Sequence, residues 1–378
     1  MEKSKLSIMI LTARFGEGHL QASRALMQSF LDQGIEDIWM IDLLEEAHPL
    51  LNNISKKMYI TSTKAIKYGI DYYGWSYYMT RKYRQHNPWR RYFNYLGEKK
   101  LREMIEEKRP NAIINVFPFA AAPEIAHGSD ILSFTVLTDY ALHSRWVHPG
   151  TDKYYVATPE LKAELLTKGF EQDQIEVTGI PIRPSFYHIS NQDNPFKKVL
   201  HPDKKTVLIA GGAYGVLSEI EGMIQSLLSR TDCQMAIVCG RNERMASQLR
   251  EDFAGDPNVH IFGFIDNMQE LMALSSCIVT KAGGLTLTEA LTLSLPVFIY
   301  KPFGGQEKEN ALFFEGKGIA RISYSVEELE AQLLTFLSDG AKANAMQLRM
   351  APLHQAHAAD RIVKDILQTM TQSLLQPV

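Results

Sequence analysis

Three times in this chain an apolar strand runs into glycines and then into helical spacing. Residues 6–12 precede Gly16 and Gly18, residues 207–210 precede Gly211, Gly212 and Gly215, and residues 277–280 precede Gly283 and Gly284. Strands that are apolar throughout, rather than alternating, are buried on both faces by the helices between them. Further runs of this kind stand at 38–41, 112–116, 133–137, 153–157, 235–239, 260–262 and 297–300. The alternation predicts an α/β architecture of parallel sheets. A chain of 378 residues exceeds one ordinary core, and composition turns polar at Asn191-Gln192-Asp193-Asn194-Pro195. Two Rossmann-like domains facing a central crevice are therefore expected: 1–190, a linker at 191–205, and 206–355. Residues 356–378 carry helix spacing with no strand after them.

The glycine turn at 283–284 suits phosphate. Glycine lets the backbone approach an anion closely, and the free N–H groups and positive dipole end of the following helix attract it. The next strand, 297–300, delivers Lys301-Pro302 and the polar segment with Gln306 and Glu307 to the same sheet edge, where ligand crevices form. The spacing also allows a capping box between Thr286 and Glu289, and for Glu289 taken alone capping is the plainer role.

A dinucleotide fingerprint fails. Gln21 stands where the first turn would need its third glycine, although Asp42 closes the second strand where a ribose-binding acid belongs. The Gly211 turn has no acid after its following strand, which ends Val238-Cys239-Gly240-Arg241. Three incomplete turns fit one nucleotide diphosphate gripped from two sides better than two dinucleotides.

No apolar run reaches the roughly eighteen residues of a spanning helix, and Met1-Glu2-Lys3-Ser4-Lys5 leads into a strand rather than a signal sequence, so a cytoplasmic protein is expected. Cys233, Cys239 and Cys277 offer neither a disulfide framework nor zinc spacing, and read as inert core residues.

The net charge of −3 hides an asymmetry. Between Lys56 and Arg102 lie twelve Lys/Arg against Asp71 and Glu98, so this segment carries +10 and the remainder −13. It is interleaved with aromatics, and includes Trp75, Arg81, Lys82, Trp89, Arg90 and Arg91. Such a mixture suits the headgroup level of an anionic membrane surface. If half of those cations faced lipid, the attraction would be on the order of 5 kcal/mol, enough for reversible docking. A helical subdomain packed by its tyrosines, with solvated lysines outside, is the plain alternative. Nucleic acid is not expected as a partner, because the segment lacks strand alternation and reads as helices broken near Gly74 and Asn87-Pro88.

Taken together, several motifs are specific: residues 11–19 (Leu-Thr-Ala-Arg-Phe-Gly-Glu-Gly-His), Leu137-Thr138-Asp139-Tyr140 with Trp146-Val147-His148, Asp152 to Thr158, Thr178 to Pro184, and the segments at 280–290 and 304–311. Through them the chain resembles, over nearly its whole length, the bacterial processive diacylglycerol β-glucosyltransferases. These are relatives of the plant monogalactosyldiacylglycerol synthases in glycosyltransferase family 28. The resemblance implies a GT-B fold whose last helix returns to the first domain. It implies an inverting, metal-independent hexosyltransferase without cofactor, moving glucose from UDP-glucose to diacylglycerol and onward to the glycolipid product, as in synthesis of lipoteichoic acid anchors. It also implies peripheral attachment to the inner face of the cell membrane.

By the family's motifs, Glu289 would hold the donor ribose. Gly283, Gly284 and Thr286, with Gly212 and Ala213, would hold the diphosphate. Gln306 and Glu307, with Asn310 beside them, would serve the sugar, and Phe264 and Ile265 would line the uracil site. Gly18 falls on the acceptor side, with the basic and aromatic segment. The family usually has proline where this chain has Ala282, and histidine where it has Tyr214.

Transfer at an anomeric carbon needs a base for the acceptor hydroxyl and stabilisation of the departing UDP. A helix dipole can take the leaving-group charge, which suits a chain without an Asp-x-Asp metal clamp. The base candidates are Asp139 and His19, both at carboxyl ends of amino-terminal strands; a turn-forming aspartate and a packed helix-start histidine are the plain alternatives. From a different class, a UDP-sugar sensor or a UDP-sugar 2-epimerase of the same fold would share the donor side.

Overall fold

The computed structural model describes residues 6–13, 17–47, 77–78, 97–189, 194–210 and 221–375. The chain divides into two units, Met1–Pro184 with Gln355–Val378, and Ser185–His354.

In the first unit, β1 (Ser7–Thr12), β2 (Asp37–Asp42), β3 (Ala112–Asn115), β4 (Leu132–Val136), β5 (Lys153–Val156) and β6 (Ile175–Val177) form one sheet in the order β2-β1-β3-β4-β5-β6. Every pairing is parallel. The helices are α1 (Gly18–Asp32), α2 (Leu43–Ala47), α3 (Glu98–Lys108), α4 (Ala121–Ala126) and α5 (Pro159–Leu166). One core joins Met9 and Leu11 of β1 to Ile41, Leu43, Leu101 and Ile113. All six residues of β1 are buried, as its unbroken apolar run requires.

The second unit repeats the plan. Its strands β7 (Lys205–Ala210), β8 (Cys233–Val238), β9 (Val259–Phe262), β10 (Cys277–Thr280), β11 (Val297–Tyr300) and β12 (Ala320–Ser323) lie in the order β12-β11-β10-β7-β8-β9, all parallel. This is the doubly wound order with its reversal between β7 and β10, so the crevice for a ligand lies at the carboxyl ends of those two strands. In the first sheet the reversal lies between β1 and β3. The helices of the second unit are α6 (Glu221–Arg230), α7 (Glu243–Asp252), α8 (Met268–Ala273), α9 (Gly284–Thr292), α10 (Gln306–Gly316), α11 (Val326–Ser338) and α12 (Gly340–Met350). Cys233, Cys239 and Cys277 are buried thiols whose pKa values burial pushes up, so they stay protonated and inert.

The last helix, α13 (Ala358–Leu375), packs in the first unit against α1. Ser29 donates to Asp360 at 2.7 Å, and Tyr155 and Lys153 both reach the Asp365 carboxylate, at 2.8 and 3.0 Å. Burial and the Asp365 charge raise the Tyr155 pKa, which keeps its hydroxyl a donor. Gly179 lies at φ +86, and a Cβ there would come within 2.6 Å of the Gln355 Cβ, so only glycine lets the returning chain approach.

The sequence pattern does not announce β6 or β12. Both are short edge strands, and each carries a charged residue outward, half-buried Glu176 in one and exposed Arg321 in the other.

Candidate active site

In the first unit, α1, the next helix after β1, places His19 in its first turn, at the sheet's reversal point. Its Nδ1 lies 2.9 Å from the Val116 carbonyl, just past β3, and 2.9 Å from the Thr138 hydroxyl, just past β4. A carbonyl oxygen has no proton to give, so Nδ1 carries the proton and the neutral ring has its lone pair on Nε2. Among the described residues nothing hydrogen-bonds Nε2. Phe117 meets the ring edge-on at 5.1 Å, and Trp146 lies tilted at 6.3 Å. Desolvation by this packing lowers the His19 pKa below its ordinary 6.5; the charge of Asp139 and the Val116 hydrogen bond oppose that pull. Asp139 is itself buried, one residue beyond Thr138. The ring is thus a neutral base at pH 7, with a buried carboxylate near enough to favour the imidazolium once a proton arrives.

In the second unit, β10 ends in a tight turn in which the Gly283 N–H donates to the Lys281 carbonyl at 3.0 Å. Helix α9 then begins at Gly284, with Gly283 as its N-cap and, among the described residues, no side-chain cap. The expected Thr286–Glu289 capping box is absent, because the glycine pair lets the backbone enter the helix before Thr286. Thr286 is instead the third helical residue, half-buried, and Glu289 is buried one turn on. An uncapped first turn leaves its amide donors to a ligand.

The adjacent strand β11 delivers α10, whose N-cap Gly305 has φ 85 and ψ −139, a conformation that side-chain-bearing residues rarely adopt. Two residues of α10, one helical turn apart, grip the turn after β10. Glu307 accepts from Lys281 Nζ at 2.9 Å, and fully buried Asn310 donates to the Ala282 carbonyl at 3.2 Å. Gln306 is half-buried beside them. Past β9, Phe264 is 55% exposed with Arg241 over its ring at 5.2 Å, and Ile265 is half-buried. An aromatic face left open at the carboxyl edge of the sheet is available to a planar ligand.

Within each unit, therefore, the expected residues converge. His19 and Asp139 gather with Gly18 at the first sheet; Gly283, Gly284, Thr286, Glu289, Gln306, Glu307 and Asn310 gather at the second. Gly212, Ala213, Trp75, Arg81, Lys82, Trp89, Arg90 and Arg91 lie outside the described residues. Sequence reasoning assigned no role to Thr138, the Val116 carbonyl or Lys281. Thr138 had a signal, since it precedes Asp139 at a strand end; a backbone carbonyl has none.

Residues 19–182 match the model of the monogalactosyldiacylglycerol (MGDG) synthase family, and residues 206–366 match the carboxyl-terminal domain of glycosyltransferase family 28. A processive diacylglycerol beta-glucosyltransferase of Bacillus licheniformis is 37% identical over 366 residues, covering 96% of this chain and 94% of its own length. The chain belongs to this glucosyltransferase family. Solved structures set the family's fold in context. The glycotransferase of kitacinnamycin superposes with a TM-score of 0.63 at 15% identity, covering 97% of this chain and 99% of its own. A UDP-GlcNAc 2-epimerase from Neisseria meningitidis, bound to UDP-GlcNAc, does so with a TM-score of 0.62 at 13% identity, covering 96% and 100%. Both likenesses concern the fold alone, the GT-B fold with its two Rossmann-like units. As a member of the processive diacylglycerol glucosyltransferase family, the chain is a glycosyltransferase enzyme.

Proposed function

We propose that this enzyme moves glucose from UDP-glucose to the hydroxyl of diacylglycerol, with inversion and without a metal, and then adds further glucose to the glycolipid product, as in synthesis of lipoteichoic acid anchors. The observation that carries the reading is His19, a half-buried neutral imidazole whose Nδ1 is engaged and whose Nε2, among the described residues, is left for a substrate proton. In the proposed step His19 Nε2 accepts the proton of the lipid hydroxyl as its oxygen attacks the anomeric carbon. The buried Asp139 charge stabilises the resulting imidazolium. The bond to UDP breaks on the opposite face, and the diphosphate charge falls on the open amides at the start of α9, which supports a metal-free reaction. Glu289 serves the ribose, Phe264 and Ile265 the uracil, and Gln306 and Glu307 the glucose hydroxyls.

The relative's name supports the acceptor and the sugar, and the UDP-sugar in the epimerase of the same fold supports the nucleotide. No helix among the described residues is long and apolar enough to cross a membrane. The basic, aromatic segment from Lys56 to Arg102 is proposed to dock the enzyme on the anionic inner face of the cell membrane.

The test is incubation with radiolabelled UDP-glucose and diacylglycerol in anionic vesicles, followed by extraction into organic solvent. Label in the lipid phase is expected; label held wholly in the aqueous phase overturns the proposal. Interconversion of the UDP-sugar without lipid would point to an epimerase.

A further inference from the structure

The pair formed by Lys281 and Glu307 has an unequal geometry. Glu307 is 8% exposed, and Lys281 Nζ holds its Oε1 at 2.9 Å. Its other oxygen, Oε2, is buried and, among the described residues, meets no hydrogen-bond partner. A buried carboxylate oxygen without a donor is costly, and it persists in a native site where a ligand supplies the missing bond. Beside it the first turn of α9 is uncapped, on a turn that begins at Lys281 itself. The ammonium of Lys281 also lies over Phe303, 5.9 Å from the ring centroid, which limits where it can go.

We infer that Lys281 is a positioning residue for donor-sugar recognition: it fixes Oε1 of Glu307 so that Oε2 alone accepts from a sugar hydroxyl. The inference rests on the proposed UDP-glucose reading. Its physical basis is twofold. The charge-assisted hydrogen bond from the ammonium to Oε1 fixes the direction in which the carboxylate points. It also removes one of the two carboxylate oxygens from competition. A single oxygen in a fixed direction then discriminates between epimers by whether a hydroxyl can reach it. Asn310, holding the Ala282 carbonyl one helical turn along, keeps the Lys281 backbone in register with α10. Lys281 acts on the sugar through Glu307 and is not assigned to the diphosphate.

Calorimetric titration of UDP and of UDP-glucose into the full-length protein, without acceptor, tests this. For Lys281→Met the affinity for UDP-glucose is expected to fall about tenfold, the size of one lost hydrogen bond to a charged group, while UDP binds within about twofold of wild type. Lys281→Arg, which keeps the charge, is expected to retain most of the affinity. In a Glu307→Gln background, Lys281→Met is expected to add nothing. An equal loss for UDP and UDP-glucose would assign the cation to the diphosphate and overturn the proposal, as would full additivity with Glu307→Gln. Unchanged UDP binding shows that each variant is folded. Because no acceptor is present, failure of lipid transfer leaves this result standing, whereas failure of wild-type protein to bind UDP-glucose would defeat the underlying reading.

Discussion

The two candidate sites solve opposite electrostatic problems with the same strand–turn–helix unit. After β1 the helix start carries a histidine kept neutral by packing, its proton pointed at a backbone carbonyl. After β10 the helix start carries no side-chain cap, and a lysine–glutamate pair is held beside it. The first arrangement suits a proton acceptor, which requires a low-dielectric surround; the second suits an anion receptor, which requires open donors and fixed charge. The same supersecondary element thus does different chemistry according to what leans on it from neighbouring strands.

Substitutions can separate the two halves. The largest effects are expected at the base and its partner: Asp139→Asn removes the charge that stabilises the imidazolium and should cost as much transfer of label into lipid as loss of the base, while UDP still binds; full activity in this variant would remove Asp139 from the mechanism. His19→Ala is expected to lower kcat by about 10²–10⁴-fold, the usual contribution of a positioned base, again with UDP affinity unchanged. On the donor side Gly283→Ala sharpens the contrast. A Cβ at Gly283 would meet nothing within 4 Å, so thermal stability should hold. A diphosphate approaching the backbone would meet the methyl group, and UDP affinity should fall about tenfold. Unchanged affinity would mean that the phosphate lies elsewhere.

The smallest effect is a shift in pH dependence. In the proposed mechanism the neutral form of His19 accepts the proton, and its pKa is depressed, so kcat/KM should fall as pH drops through a value below 6.5. Phe117→Ala opens the packing that lowers the pKa, and should move that acidic limb upward towards 6.5; a limb that stays in place would contradict the assignment. Stability follows the same sign. The unfolded chain takes up the His19 proton first, so native stability declines as pH falls below about 6.5.

How much of this is legible without coordinates differs between the sites. The donor turn is compact in sequence: Lys281, the glycine pair, Glu289, Gln306, Glu307 and Asn310 fall within one strand–helix–strand–helix passage. Its strands β10 and β11 also coincide with the apolar runs read from the sequence. Even there the local reading failed at the helix start, where a threonine three residues before a glutamate looks like a cap. The glycine before it had already turned the chain. The histidine site is dispersed, drawing on residues near 19, 116 and 138 that meet only because β1, β3 and β4 stand side by side. The edge strands β6 and β12 go unread for the complementary reason: three or four residues interrupted by an outward charge, Glu176 or Arg321, carry too little apolar signal, whereas the edge strand β9 keeps an apolar run and is read.

By itself the sequence determined that this protein would be two parallel α/β units, because runs of buried strand residues separated by helical spacing have few other ways to hide. It also determined where a glycine pair at a strand end would open a helix, since glycine acts there through its own backbone. Only the tertiary structure decided which nitrogen of His19 holds a proton, and that Lys281 occupies one oxygen of Glu307 while the other stays bare. Those states depend on the distance and angle between groups far apart in the chain, and on the water excluded around them, which no local pattern records.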